Sequence, residues 1–148
     1  MSESRKRRSL FTIGWREWVE LPDFDGTRIK AKIDTGARTS AVHAWKIEAF
    51  ERDGEKWVRF ELHPKQKNNT HRVPCEARVL DERLIRSSNG QITRRYVIRT
   101  RLKLGNRTWP IDLTLSRRDE MGFRMLLGRT ALRGRTLIDA AASYLCGD

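Results

Sequence analysis

The sequence predicts an all-β, barrel-like domain with little helix. Short alternations of apolar and polar residues recur along most of the chain, and turns rich in Gly, Asn and Asp separate them at regular spacing. Helix is suggested only by a single turn, Thr130 to Arg133, closed by Gly134. Many short strands with almost no helix are the mark of a barrel. At 148 residues there is room for one domain with a real core and not for two. We place that domain at 12–148, behind a disordered basic lead over 1–11.

The elements follow in order. Ile13 to Leu21 reads as the first strand, ended by Pro22 and the Asp25-Gly26 turn. Arg28 to Ile33 pairs with it, turning Ile29, Ala31 and Ile33 to the core and Arg28, Lys30 and Lys32 to solvent. Ala41 to Phe50 and Lys56 to Leu62 form a hairpin across Asp53-Gly54, with Val58, Phe60 and Leu62 inward. Pro64 to Thr70 is turn-like. From Arg72 to Ile85 the alternation weakens, and Pro74 argues for an edge position because it cannot donate to a ladder. Ser87-Ser88-Asn89-Gly90 reads as a hairpin tip by its Asn-Gly. Tyr96 to Leu104 and Trp109 to Leu115 alternate most cleanly, joined by Gly105-Asn106. The tail, Thr136 to Leu145, is apolar enough to dock or to pair with another subunit. There is no internal repeat and no low-complexity segment.

The net charge of +12 and pI near 10.6 predict an acidic partner or substrate. Nucleic acid is the default partner for such a balance, yet 19 acidic residues are scattered among 31 basic ones, so the charge is spread over many strands. Cys75 and Cys146 are too few for a disulfide framework, which predicts a reduced, cytoplasmic setting. The lead is basic like the start of a signal peptide, but Leu10 to Gly14 runs at once into Trp15-Arg16-Glu17, so no apolar segment is long enough for export or anchoring.

One strand ends in a candidate site. Arg28 to Ile33 delivers Asp34 into Asp34-Thr35-Gly36-Ala37, where Gly permits an unusual backbone and Thr offers a short hydroxyl. Such a turn can hold a carboxylate in a fixed direction, or it can be an ordinary turn. A second stretch, Met125-Leu126-Leu127-Gly128-Arg129-Thr130-Ala131-Leu132, follows about ninety residues later. Together the two resemble the paired signatures of retropepsin-like aspartic peptidases. More narrowly, Ile33 to Ala44, Ser88-Asn89-Gly90, Arg117 and Leu127-Gly128-Arg129 resemble the bacterial group labelled ATP-dependent zinc proteases, which is associated with ATP-grasp glutamate ligases. The likeness runs over roughly residues 12–140.

The resemblance implies a retropepsin-like closed barrel with a flap hairpin at Ser87 to Gln91. It also implies an aspartic endopeptidase in which Asp34, Thr35 and Gly36 are catalytic. Peptide hydrolysis by this chemistry needs two carboxylates about 3 Å apart sharing a proton, one activating water and the other polarising the scissile carbonyl. The chain has one Asp-Thr-Gly, so a homodimer is implied, with the second Asp34 supplied across a two-fold axis. Thr35 would lock the two turns across that axis. Ala37, Ser88, Asn89 and Gly90 fall at substrate-contacting positions.

The sequence departs from retropepsins after Asp-Thr-Gly-Ala, where an acidic residue is usual and Arg38 stands here. Arg38 and Arg129, with Arg86, Arg94 or Arg95 on the flap side, are therefore expected to hold carboxylates of a glutamate-rich or glutamate-tailed substrate. A solvated basic face is the plainer alternative.

Two other functions compete. A zinc-dependent peptidase, as the group's label suggests, needs ligands; His63, His71 and Cys75 are the candidates, but their spacing matches no familiar zinc arrangement. There is no phosphate-binding Gly-rich loop for ATP, and no metal or other cofactor is expected. A basic β-barrel for RNA or DNA would account for the charge, but Trp15, Trp18, Trp45, Trp57 and Trp109 fall in or beside strand patterns and read as core or rim, not as a stacking platform.

Overall fold

The structure is a computed structural model, described here over residues 10–65, 71–86, 90–117 and 122–147. The basic lead up to residue 9 and the hairpin tip at 87–89 lie outside the described residues. The strands are β1 (Phe11–Leu21), β2 (Thr27–Ile33), β3 (Ser40–Arg52), β4 (Glu55–Leu62), β5 (Val73–Arg78), β6 (Asp81–Arg86), β7 (Ile92–Leu104), β8 (Arg107–Ser116), β9 (Met125–Leu127) and β10 (Thr136–Ser143). The single helix of the described residues, α1 (Arg129–Leu132), is one turn long.

Hydrogen-bonded neighbours run β1, β2, β9, β3, β8, β7, and β7 meets β1 again at Lys103 and Glu20, which closes a six-stranded barrel. Closure leaves the barrel without a free edge. Alternation decides what goes inside: Val19, Leu21, Ile29, Ala31, Leu102, Leu104, Leu113, Leu115 and Leu127 are buried, while Arg28 and Arg99 on the same strands are exposed. Each buried aliphatic side chain contributes about 1.5–3 kcal/mol. The inward residues named from the sequence, including Val58, Phe60 and Leu62, are in this core.

The weak stretch from Arg72 to Ile85 resolves into two strands with different partners. β5 pairs with β4 alone, so Pro74 does sit on an edge strand, opposite Glu61. β6 pairs with β7 as the arms of the flap-side hairpin. A bulge between Trp45 and Glu48, with Lys46 at φ 52°, interrupts β3. Nothing in the hydrophobic alternation announces it.

The C-terminal tail docks on its own chain. β10 runs parallel to β1, from Phe11 opposite Thr136 to Arg16 opposite Ser143, with a register shift at Gly14. A Cβ at Gly14 would collide with the Ala142 carbonyl, so only glycine lets the two strands pass. Beside it Glu17, fully buried, accepts from the amides of Gly14 (2.6 Å), Leu145 (2.9 Å) and Cys146 (3.0 Å). One carboxylate thus fastens the end of the chain to its beginning.

Candidate active site

Asp34 leaves β2 at the point where β9 runs parallel beside it, with Ile33 opposite Leu127. Its amide donates to the Leu127 carbonyl at 2.9 Å. Its Oδ1 accepts from the Gly36 amide at 3.0 Å, and its carbonyl accepts from Ala37 at 3.1 Å. The carboxylate is therefore oriented by its own turn, the local bonding that Asp supplies in such loops. Asp34 is half-buried, and Thr35 and Gly36 are exposed, so the turn faces outward from the barrel.

The second motif supports this turn from behind. Arg129 N donates to Ala37 O at 2.8 Å, and Thr130 donates to Arg38 O through both its amide (3.1 Å) and its hydroxyl (2.8 Å). The Gly128 amide donates to the buried Ser40 hydroxyl at 3.0 Å. A Cβ on Gly128 would lie 2.7–2.8 Å from Thr39 and Ala37 backbone atoms. Close approach, not backbone conformation, is what requires glycine there, since its φ is −91°. The Arg129 guanidinium lies over the turn, with Nη1 3.4 Å from Thr35 O and 3.3 Å from Gly36 O.

The predicted site residues separate into three groups. Asp34, Thr35, Gly36, Ala37, Arg38 and Arg129 are brought together. Arg38 and Arg129 are exposed, and neither has a carboxylate partner among the described residues. On the hairpin, Arg94 meets Glu82 at 3.6 Å, an internal acid that also holds Lys56 at 2.7 Å, so its charge is already answered in part. Gly90 is exposed at φ 86°, while Ser88, Asn89 and the Arg86 side chain lie outside the described residues.

Sequence reasoning missed Ser40, Thr130 and Arg83. Arg83 reaches from β6 to donate to Thr39 Oγ1 at 3.1 Å, which ties the β6–β7 hairpin to the segment after the Asp34 turn. No spacing rule links positions so far apart.

The zinc candidates do not converge. His63 stacks on Trp45 with ring centroids 3.8 Å apart and meets Glu61 at 3.3 Å, while Cys75 Sγ donates to Val73 O. Among the described residues no three His, Cys, Asp or Glu side chains are grouped to hold a metal ion. Burial pushes the Cys75 thiol up to about 12, and burial, with Glu17 nearby, pushes Cys146 up to about 11.

The tryptophans are core or rim as expected, with Trp109 buried and the other four half-buried, but each also carries a cation, which only at Trp15 is a neighbour in sequence. Arg16 lies over Trp15, Arg28 and Lys30 over Trp18, Arg124 over Trp45, Arg52 over Trp57 and Arg135 over Trp109. Ring faces that a stacked base would use are taken by guanidinium and ammonium groups.

The family model for RimB-like proteins, described as retropepsin-like aspartic endopeptidase RimB, matches residues 12–147. The chain belongs to this family. Its description is of an aspartic peptidase, and the zinc of the older group label is not part of it. The fold is shared with a Legionella pneumophila protein of unknown function, at a TM-score of 0.77 and 25% identity over 93% of this chain and 99% of that one. Relatives named "Probable alpha-L-glutamate ligase" are 49% identical over 137 residues in Shewanella halifaxensis and 48% over 136 residues in Desulfotalea psychrophila. These matches cover 93% and 92% of this chain but 30% and 29% of the ligases, so the chain spans about a third of the length of the relatives it matches. Among the described residues no helix is long and apolar enough to cross a membrane.

Proposed function

We propose that this protein is an aspartic endopeptidase that acts as a homodimer on glutamate-rich or glutamate-tailed substrates. The observation that carries the reading is the Asp34 turn held against Leu127-Gly128-Arg129, with its carboxylate oriented and outward-facing. One such carboxylate does not make the reaction. The mechanism requires a second Asp34 from a second copy, so that one carboxylate takes a proton from water while the other, protonated, donates to the scissile carbonyl.

The substrate class follows from charge. Arg38 and Arg129 flank the turn without an acidic partner among the described residues, and a guanidinium pair beside the turn is best answered by carboxylates of a ligand. On this reading Thr35 would lock the two turns and the β6–β7 hairpin would close over the substrate and exclude water, with Ser88, Asn89 and Gly90 as the flap contacts that the resemblance implies. That this domain is matched within longer glutamate ligases supports a substrate bearing added glutamates and a functional link to such a ligase. Two free cysteines suit a reducing cytoplasm.

The test is cleavage of glutamate-tailed and neutral peptides by the wild-type chain and by Asp34→Asn, with sedimentation to give the oligomeric state. The expected result is cleavage of the acidic peptide that Asp34→Asn abolishes without changing assembly. Equal cleavage of both peptides, or activity that survives the substitution, contradicts it.

A further inference from the structure

The outward face of β2 carries Arg28, Lys30 and Lys32 at every second residue, and the next step of the same repeat is Asp34. Alternate residues of a strand lie about 6.7 Å apart, so Arg28 is about 20 Å from the catalytic turn along one line. Across the strand pair, β1 sets Arg16 opposite Lys32, Trp18 opposite Lys30 and Glu20 opposite Arg28.

Several exposed cations of the sheet meet acids: Arg52 and Arg59 meet Glu76, Arg99 meets Asp112, and Arg101 meets Asp23. Arg28 and Lys30 instead rest on the Trp18 ring, each 5.3 Å from its centroid, and Lys30 is 5.8 Å from that of Tyr144. Neither has a carboxylate partner among the described residues, and Glu20, the acid nearest in register, meets Lys103 at 3.9 Å. Cation–π contact fixes where the charge sits without neutralising it. At the far end of the line a cavity of about 260 Å³ opens between Trp18, Glu20, Arg28, Lys103 and the turn at Gly105.

We infer that Arg28 and Lys30 on β2 form a docking track for an acidic peptide chain, leading from the cavity beside Trp18 along the strand to the Asp34 turn. The inference rests on the acidic-substrate reading above and adds a binding site outside the catalytic turn. An extended glutamate chain presents alternate carboxylates on one side at the same repeat as β2 presents Arg28 and Lys30, so two successive pairs form in register. About six extended residues span the distance from Arg28 to Asp34. A tail of that length is bound at both places, and a shorter one only at the turn.

The test uses the full chain carrying Asp34→Asn, so that bound peptide is not cut, and follows the fluorescence anisotropy of a labelled deca-glutamate peptide. Arg28→Ser with Lys30→Ser should weaken binding about tenfold, the product of two exposed ion pairs. Arg107→Ser with Arg135→Ser removes equal charge from cations that also rest on aromatic rings, those of Phe11 and Trp109, but lie off β2; it should change affinity by less than about twofold. No binding of the peptide, no effect of the β2 substitutions, or an equal effect of both pairs overturns the track. So does a single-stranded oligonucleotide that binds through Arg28 and Lys30 when the glutamate peptide does not. Track-dependent binding by Asp34→Asn, with no cleavage by the wild-type chain, would instead remove the peptidase reading and leave the track standing.

Discussion

Asp34 is anchored to Leu127: its amide donates to the Leu127 carbonyl at 2.9 Å, and the residue that follows, Gly128, touches the backbone of Ala37 and Thr39. The two motifs, far apart in sequence, are one structural unit. The position of the carboxylate therefore depends on how closely β9 can approach the turn.

Gly128→Ala tests that dependence. The added methyl has only rigid backbone to displace, so we expect about 2 kcal/mol of lost stability, the usual cost of overpacking, and a larger loss of activity as the turn shifts. Thermal unfolding and peptidase assays report the two effects. An unchanged Tm would show that the contact is not tight.

Glu17 gives a second prediction. Glu17→Ala leaves the buried amide of Gly14 and the part-buried amides of Leu145 and Cys146 without their acceptor, and each unsatisfied buried donor costs about 1–3 kcal/mol. We expect about 3 kcal/mol of destabilisation in urea unfolding, less than the sum because the tail can detach and recover water. Protease nicking near Leu145 in Glu17→Ala, absent from the wild type, would report that detachment. Equal stability of the two would contradict the clasp.

The third concerns acid. Burial raises the Asp23 carboxyl, but hydrogen bonds from the Arg101 amide and side chain and from the Thr100 hydroxyl outweigh it and hold the group below its ordinary value of 3.8. A carboxyl depressed on folding stabilises the protein above its unfolded value, and that contribution is lost as pH falls through the folded value. The stability difference between the wild type and Asp23→Asn should therefore be level from neutral pH down to about 5 and shrink below about 4. A difference that grows as pH falls would reverse the assignment.

Much of this was legible in the sequence because strand alternation is local. Ile29, Ala31 and Ile33 announce β2, and Trp109 to Leu115 announce β8, whatever else the chain does. Asp34-Thr35-Gly36 and Leu127-Gly128-Arg129 were legible as a pair because a shared motif compresses a contact across the fold into two short strings. What stayed hidden was contact without pattern. Glu17 shares the inward parity of Val19 and Leu21, but nothing local shows which amides meet its charge, and Arg83 reaching Thr39 follows no repeat. The cations on Trp18 come from a neighbouring strand, so the order of residues along β1 could not show them. The β3 bulge at Lys46 escaped for the opposite reason, since a bulge breaks the repeat on which the reading relies.

The central claim is that Asp34 acts as a pair supplied by two copies of the chain. Mixing wild-type with Asp34→Asn protein, under conditions where subunits exchange, and measuring cleavage of a glutamate-tailed peptide tests it most directly. If both carboxylates are needed, activity falls as the square of the wild-type fraction, to about one quarter in an equal mixture. A fall in simple proportion, to about one half, would mean that each chain works alone and would contradict the account.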